Sequence, residues 1–161
     1  MQKSKDSFFA ALRDRLSVVN HERTVMIDGQ LRPGILVCEN EAVGLDQKLS
    51  DVFCVTWGAS AKVSPAASSP VAIDCTISFK TAGAVEQNGM TRGRDLATMI
   101  QELSRMLEPR STTKMDFANG QAVELNVPVF WSQAEGGPVE EDGRFVSRSV
   151  TLKVFCYTEV Q

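Results

Sequence analysis

The chain has 161 residues, of which 43% are hydrophobic and 23% are charged, and its formal net charge is -3. This length suits one domain with its own core, and the composition is that of a folded globular protein. The small acidic excess argues against a general nucleic-acid binder, because such domains usually carry a strong basic excess. We therefore expect one domain over residues 1–161, with no specific nucleic-acid binding.

Two kinds of segment are missing from the sequence pattern. No stretch approaches the roughly 20 apolar residues that span a bilayer, and the start, MQKSKDSFFAALRDRL, carries charges where a signal peptide needs an apolar run. The sequence therefore predicts a protein that has no membrane partner and stays in the cytosol unless it leaves within a larger particle.

The four cysteines, Cys38, Cys54, Cys75 and Cys156, are far apart in the sequence and lie in apolar runs. Since free cysteine packs as a small hydrophobe, we expect all four to be reduced and buried. With one histidine and no close ligand pair, we expect neither a metal site nor a cofactor.

The first third of the chain predicts a helix followed by a hairpin. The helix is expected over residues 6–19, because apolar residues recur on one stripe, and a side chain at position 4, 6 or 7 is the expected N-cap. Two strands follow, over residues 24–27 and 35–39, with glycine and proline turn signals between them. The residues of the apolar stripe are Phe8, Leu12, Leu16 and Val19.

The central part predicts two further strands. Phe53, Val55 and Trp57 share one face of the first, and the serine- and proline-rich AKVSPAASSP predicts a loop. In IDCTISFK, residues 73–80, apolar and polar side chains alternate strictly, which is typical of a sheet with one buried face.

The last part predicts a second helix over residues 92–107, ended by Pro109, and then two strands. The strands span residues 123–131 and 146–156, and the acidic SQAEGGPVEEDGR between them is interpreted as a hairpin loop. Pro128 suits an edge strand or a bulge, because it cannot donate to the ladder. The whole order predicts an α+β fold: a single mixed, mostly antiparallel sheet with two helices packed on one face.

The segment NGMTRGRDL, which leads into the second helix, is a candidate phosphate-binding site. A helix N-terminus attracts anions. In a P-loop, however, the last glycine is followed by lysine and then by serine or threonine, whereas Gly93 is followed here by Arg94 and Asp95. The glycine pattern of a dinucleotide-binding loop is also absent. We therefore expect no nucleotide site, and interpret Thr91 as a helix N-cap.

The other polar candidates also favour a protein that is not an enzyme. His21 has no triad motif around it and is interpreted as a surface residue. The acidic side chains of the 132–144 loop are interpreted as solvated, because paired catalytic carboxylates generally lie on rigid elements. These acidic residues are Glu135, Glu140, Glu141 and Asp142.

Two tryptophans and several basic residues have two interpretations each. Trp57 and Trp131 lie at strand ends and are either core residues or anchors of a subunit interface, where aromatic residues are enriched. The basic residues of the second helix and the segment after it are either solvated or the rim of an interface. They are Arg92, Arg94, Arg105, Arg110 and Lys114.

The order and texture of the elements resemble a known family. A strand VAIDCTISFKT, a loop, the helix RGRDLATMIQELSRMLEP, a strand ending VPVFW, an acidic glycine-rich loop and a last strand SRSVTLKVFCYTEV are similar to the tail terminator, or tail completion, proteins of tailed phages and prophages. The N-terminal helix FFAALRDRL fits their layout, so the resemblance covers nearly the whole chain.

The resemblance implies a minor tail protein without catalytic residues or cofactor. Its partners would be other copies in a ring homo-oligomer, commonly a hexamer, the tail tube protein that the ring caps, and the head-tail connector protein that docks on it. It would be located in the virion tail after assembly in the host bacterial cytoplasm. Charged loops would carry recognition, and Arg92, Arg94, Trp57 and Trp131 are the expected interface residues. The alternative is a small α+β ligand-binding domain or enzyme of unknown substrate.

Overall fold

The computed structural model describes residues 1–27, 29–38, 50–66, 68–83 and 90–157. Two helices, α1 (Gln2–Val19) and α2 (Met90–Met106), accompany nine strands. The strands are β1 (Thr24–Ile27), β2 (Gln30–Pro33), β3 (Ile35–Cys38), β4 (Val52–Lys62), β5 (Val71–Thr81), β6 (Ser111–Asp116), β7 (Val123–Trp131), β8 (Glu135–Asp142) and β9 (Phe145–Cys156).

The main sheet has seven strands in the order β3-β4-β5-β9-β7-β6, and β8 also pairs with β9. Among the strands of the described residues, only β3 and β4 run parallel, and the other pairings are antiparallel. A separate two-stranded ribbon is formed by β1 and β2. The predicted α+β class, with a mixed and mostly antiparallel sheet, is confirmed.

Both helices lie on the same face of the sheet, because the alternation within the strands makes that face apolar. In β5 the side chains of Ile73, Cys75, Ile77 and Phe79 are buried, whereas Asp74 and Ser78 on the other face are exposed. The buried side chains of β4, β7 and β9 join the apolar stripes of α1 and α2 in one core. The prediction of two helices on one face is confirmed.

The first helix begins earlier than predicted and has no side-chain cap. Its N-cap is Met1, and Ser4 and Ser7 are buried inside the helix instead of capping it. The Ser7 hydroxyl accepts a 2.8 Å hydrogen bond from the Met115 amide, and Lys3 pairs with Asp116 at 2.9 Å. One of the three cap candidates, Ser7, therefore contacts β6 instead of capping the helix.

The predicted hairpin is wrong in its second strand. The chain reverses between Ile27 and Gln30, helped by Gly29 at φ 74°, so β1 pairs with β2. The segment Ile35–Cys38 pairs in parallel with β4 instead. Parallel pairing links residues that are distant in the chain, which local turn signals do not report.

Besides β2, the strands β6 and β8 were not predicted. The strand β8 lies within the segment interpreted as an acidic loop, and its side chains are nearly all exposed, so no apolar alternation marks it. In β6 the buried position belongs to Lys114, whose ammonium donates to the Tyr157 carbonyl at 2.8 Å. Because a lysine occupies the core position, β6 lacks the apolar alternation that identifies a strand. Lys114 is therefore buried within this chain and does not form the rim of an interface.

The second helix and the bulge at Pro128 agree with the sequence. Helix α2 starts at Met90, so Thr91 lies inside its first turn and not at the N-cap, and it ends before Pro109. The pairing of β6 with β7 is irregular between Thr113 and Met115, next to the Thr113–Pro128 pair. The predicted irregularity at Pro128 is confirmed.

The cysteines divide into two groups. Cys75 and Cys156 are free and buried, as predicted. Cys54 is disulfide-bonded, so the expectation that it is reduced is wrong, because separation along the chain does not report proximity in a sheet. The side chain of Cys38 lies outside the described part of the structure.

Candidate functional site

The two tryptophans meet at one residue of α1. The Phe8 ring packs edge-on against Trp57 at 5.7 Å and against Trp131 at 5.2 Å, between ring centroids. Trp57 is 8% exposed and Trp131 is 4% exposed. Both therefore occupy the core position that was one of their two interpretations, and their role at a subunit interface remains a prediction.

Basic side chains of α1 cover the outer sides of these rings. The Lys5 ammonium lies 5.5 Å from the centre of the Trp57 ring, and the Arg15 guanidinium lies 4.9 Å from that of Trp131. A cation over an aromatic face is attracted by the ring quadrupole. The surface above the tryptophans is therefore positively charged.

Arg92 and Arg94, the two predicted interface arginines, have different surroundings. The Arg92 guanidinium donates a 3.0 Å hydrogen bond to the Gly143 carbonyl and lies 3.9 Å from a carboxylate oxygen of Glu141. It thereby ties the start of α2 to the turn between β8 and β9. Arg94, two residues further along α2, is exposed. Gly89 and the loop before it lie outside the described residues.

A polar cluster joins the ends of the two helices. Glu102, buried on α2, accepts hydrogen bonds from Arg23 Nε at 2.9 Å and Nη2 at 3.2 Å, and from Asn20 Nδ2 at 3.0 Å. A cavity of about 80 Å³ borders this cluster, with His21 at its rim and Phe53 in its wall. The three polar side chains satisfy one another, so the cluster mainly fixes the position of α1 relative to α2.

A second cavity, of about 370 Å³, lies between the C-terminal ends of α1 and α2. We call it the basic groove. Its positive residues are Arg15, Arg105 and Arg110, and Asp14 with the apolar Val18, Val19 and Met106 completes its lining.

Two of the arginines in the basic groove, Arg15 and Arg110, influence one another. Arg15 donates a 3.3 Å hydrogen bond to the Met106 carbonyl. Burial, and after it the charge of Arg110, lowers the pKa of Arg15. An anion in the groove would relieve this repulsion.

The far end of β8 forms an acidic surface. We call Val139, Glu140, Glu141 and Asp142 the acidic edge; all four are exposed, and Val139 is 58% exposed. On the described residues β8 pairs only with β9, so it is an edge strand of the sheet. Charged residues and a proline, here Pro138, are typical of edge strands that do not pair with a further strand.

An open groove lies on the sheet face that no described helix covers. It measures about 540 Å³. Exposed Lys153 and Asp74 pair across it at 3.2 Å, and its remaining polar lining is Thr76, Ser132, Gln133, Glu135 and Thr151.

Over the described ranges, no group of three or more histidine, cysteine or acidic side chains is arranged to hold a metal ion. Neither helix, within that same part of the chain, is long and apolar enough to cross a membrane.

Sequence reasoning missed Glu102 and Arg15. Glu102 follows Met99 by three residues and so lies on the apolar stripe of α2, where a charged residue signals a buried partner. The proximity of Arg15 to Arg110 depends on how the helices pack, and no local pattern reports it.

No protein-family model matches the chain, and no curated protein is significantly similar to it in sequence.

Proposed function

We propose that the chain is a structural subunit of a phage or prophage tail, which caps the tail tube as a ring and provides the docking face for the head connector. The observation that carries this proposal is the layout of the fold. Two helices on one face of a single, mostly antiparallel sheet, with α2 inserted between β5 and the C-terminal strands, is the arrangement that the resemblance implies.

The charge distribution supports an assembly role. Three arginines line the groove at the C-terminal end of α2, and the acidic Glu140, Glu141 and Asp142 lie beside its N-terminal end, where Arg92 approaches Glu141. Complementary charge sets register and partner choice at protein interfaces more than it sets raw affinity. A subunit that must join identical copies in one orientation needs surfaces of this kind.

The cavity at the Glu102 cluster is a poor fit to the enzyme alternative. Sites for small molecules usually measure about 300–1,000 Å³, and this cavity holds about 80 Å³. Its polar groups bond to one another, so a substrate would have to displace Arg23 or Asn20 from Glu102.

A ligand-binding module is the second candidate function, and the open groove beside Lys153 and Asp74 favours it. Its volume of about 540 Å³ lies in the range of ligand sites, and hydroxyl groups and opposite charges line it. Lys153→Ala and Asp74→Ala would abolish binding of a ligand held there. Thermal-shift screening of the wild-type protein against a small-molecule set, repeated with both variants, measures this.

The mass of the purified protein tests the tail proposal. We expect light scattering across a concentration series to reveal a closed oligomer, and electron microscopy to show rings with a central opening. A protein that stays monomeric at every concentration contradicts ring formation by the chain alone and favours the ligand-binding candidate. Open filaments contradict the capping role, because a cap must close.

A further inference from the structure

We propose that the basic groove of one copy binds the acidic edge of a second copy, so that identical chains join head to tail. The proposal takes its setting from the proposed ring function, but it concerns one pairwise contact that is testable whether or not a ring closes.

The charges of the basic groove are incompletely balanced within the described part of the chain. Asp14, the acidic lining residue, is already bound by Arg13 at 2.7 Å. Arg110 pairs with Glu108 at 3.2 Å, with both side chains exposed. Arg15 and Arg110, which carry like charges, both line the groove where helix α1 meets the segment after α2. The groove therefore favours an anionic occupant.

The acidic edge offers what the groove lacks. Glu140 and Asp142 are exposed, and Val139 supplies an exposed apolar group beside them. In the groove, the 79% exposed Val18 and the partly buried Met106 supply the apolar surface that Val139 would cover. An interface core of apolar contacts within a charged rim follows from this match.

The two surfaces cannot meet within one chain. Arg92 holds the turn at Gly143 against the N-terminal end of α2, whereas Arg105 and Met106 lie at its C-terminal end. The helix has 17 residues and is therefore about 24 Å long. Different patches at opposite ends make a heterologous contact, which repeats from copy to copy and closes into a ring or continues as a filament.

A charge-exchange experiment tests the contact. One variant carries Arg105→Glu with Arg110→Glu, and the other carries Glu140→Lys with Asp142→Lys; all four side chains are exposed. Each variant alone has two surfaces of the same sign and is expected to be monomeric. Mixed in equal amounts, they have complementary surfaces again and are expected to associate, as measured by sedimentation velocity of one labelled variant.

A matched control carries Ser60→Glu, Lys62→Glu and Val63→Glu, which together change the net charge by the same amount as the groove variant, at exposed positions outside both surfaces and outside the open groove. We expect its self-association to equal that of the wild type. Far-ultraviolet circular dichroism of every variant checks that it is folded.

The outcomes separate this inference from the proposed function. Rings that persist in both variants overturn the contact and leave the ring function intact. Association restored only in the mixture, without rings in the wild type, supports the contact and contradicts the cap. If neither the wild type nor the mixture associates, both fail, and an acidic segment of another protein becomes the occupant to seek.

Discussion

Glu102 is a buried carboxylate that links α2 to the residues that follow α1. Its carboxylate binds Arg23 and Asn20, and the Arg23 guanidinium lies 5.6 Å from the centre of the Phe53 ring. A buried ion pair adds little net stability over an apolar pair of the same shape, but removing one partner leaves the other charge buried and unpaired. The cluster therefore specifies where α1 ends against α2.

We predict that Glu102→Ala lowers the free energy of unfolding by about 3–5 kcal/mol, because the largely buried Arg23 guanidinium loses its carboxylate partner and keeps only the 3.4 Å hydrogen bond to the Asp51 carbonyl. The control is Glu108→Ala, which breaks an exposed pair with Arg110 and is expected to cost about 0–1 kcal/mol. Urea denaturation of the two variants measures the difference. Equal losses would mean that Arg23 reaches solvent easily once Glu102 is gone.

Cys75 makes a second prediction at the scale of one residue. Burial raises the pKa of its thiol from 9.0 to about 12, so the folded protein holds a neutral thiol at pH 8 and the reactive thiolate is suppressed. Because this pKa is raised in the folded state, the stability it contributes is complete below pH 9.0 and is lost as the pH rises towards about 12.

We expect a thiol reagent at pH 8 to modify Cys75 only as fast as the protein opens, with the rate rising in urea, as followed by peptide mass spectrometry. The control is Ser60→Cys at an exposed position of β4, which should react at once. Rapid modification of Cys75 without urea would show that the sheet face under the helices opens readily.

At the scale of elements, the sequence predicts those strands and helices whose buried side is apolar. The alternation in β5 and the stripes of α1 and α2 give correct elements, because burial itself produced the pattern. The strands β6 and β8 were not predicted, because β6 buries Lys114 and β8 buries almost none of its side chains. The basic groove was not predicted either, because it forms only when α1, α2 and the segment before β6 pack together.

The segment between β5 and α2 gives a prediction at the scale of elements. Gly83 follows β5 with φ 64°, and a Cβ there would lie 2.6 Å from Arg92 Cγ and 2.8 Å from Arg92 N. We expect Gly83→Ala to cost about 1–3 kcal/mol, since it combines a left-handed backbone with a clash against the helix backbone.

The matched control is a glycine within α2. A Cβ on Gly93 would meet nothing within 4 Å, so Gly93→Ala should stabilise the protein by about 0.4–1 kcal/mol through helix propensity and a less flexible unfolded chain. Thermal unfolding of both variants gives the two signs. A neutral Gly83→Ala would mean that the junction of β5 and α2 shifts without cost.

At the scale of the whole molecule, the chain has a net charge of -3 but carries its positive and negative surfaces at opposite ends of α2. A chain with this arrangement attracts a copy of itself in one orientation and repels it in the reverse one, in which like ends face each other. We therefore expect identical subunits, if they assemble as proposed, to join in one direction without any change in fold.

This arrangement predicts that self-association weakens with salt. The screening length falls from about 10 Å at 0.1 M to about 3 Å at 1 M ionic strength, so contacts between the exposed Arg105, Arg110, Glu140 and Asp142 side chains should lose most of their attraction. Sedimentation velocity of the wild type across this range should show dissociation, and the Ser60→Glu, Lys62→Glu, Val63→Glu control should dissociate in parallel with it. Association that is unchanged or stronger in salt would mean that apolar surface holds the copies together, and the uncovered face of the sheet around the stacked Phe130 and Phe155 rings would then be the contact to mutate.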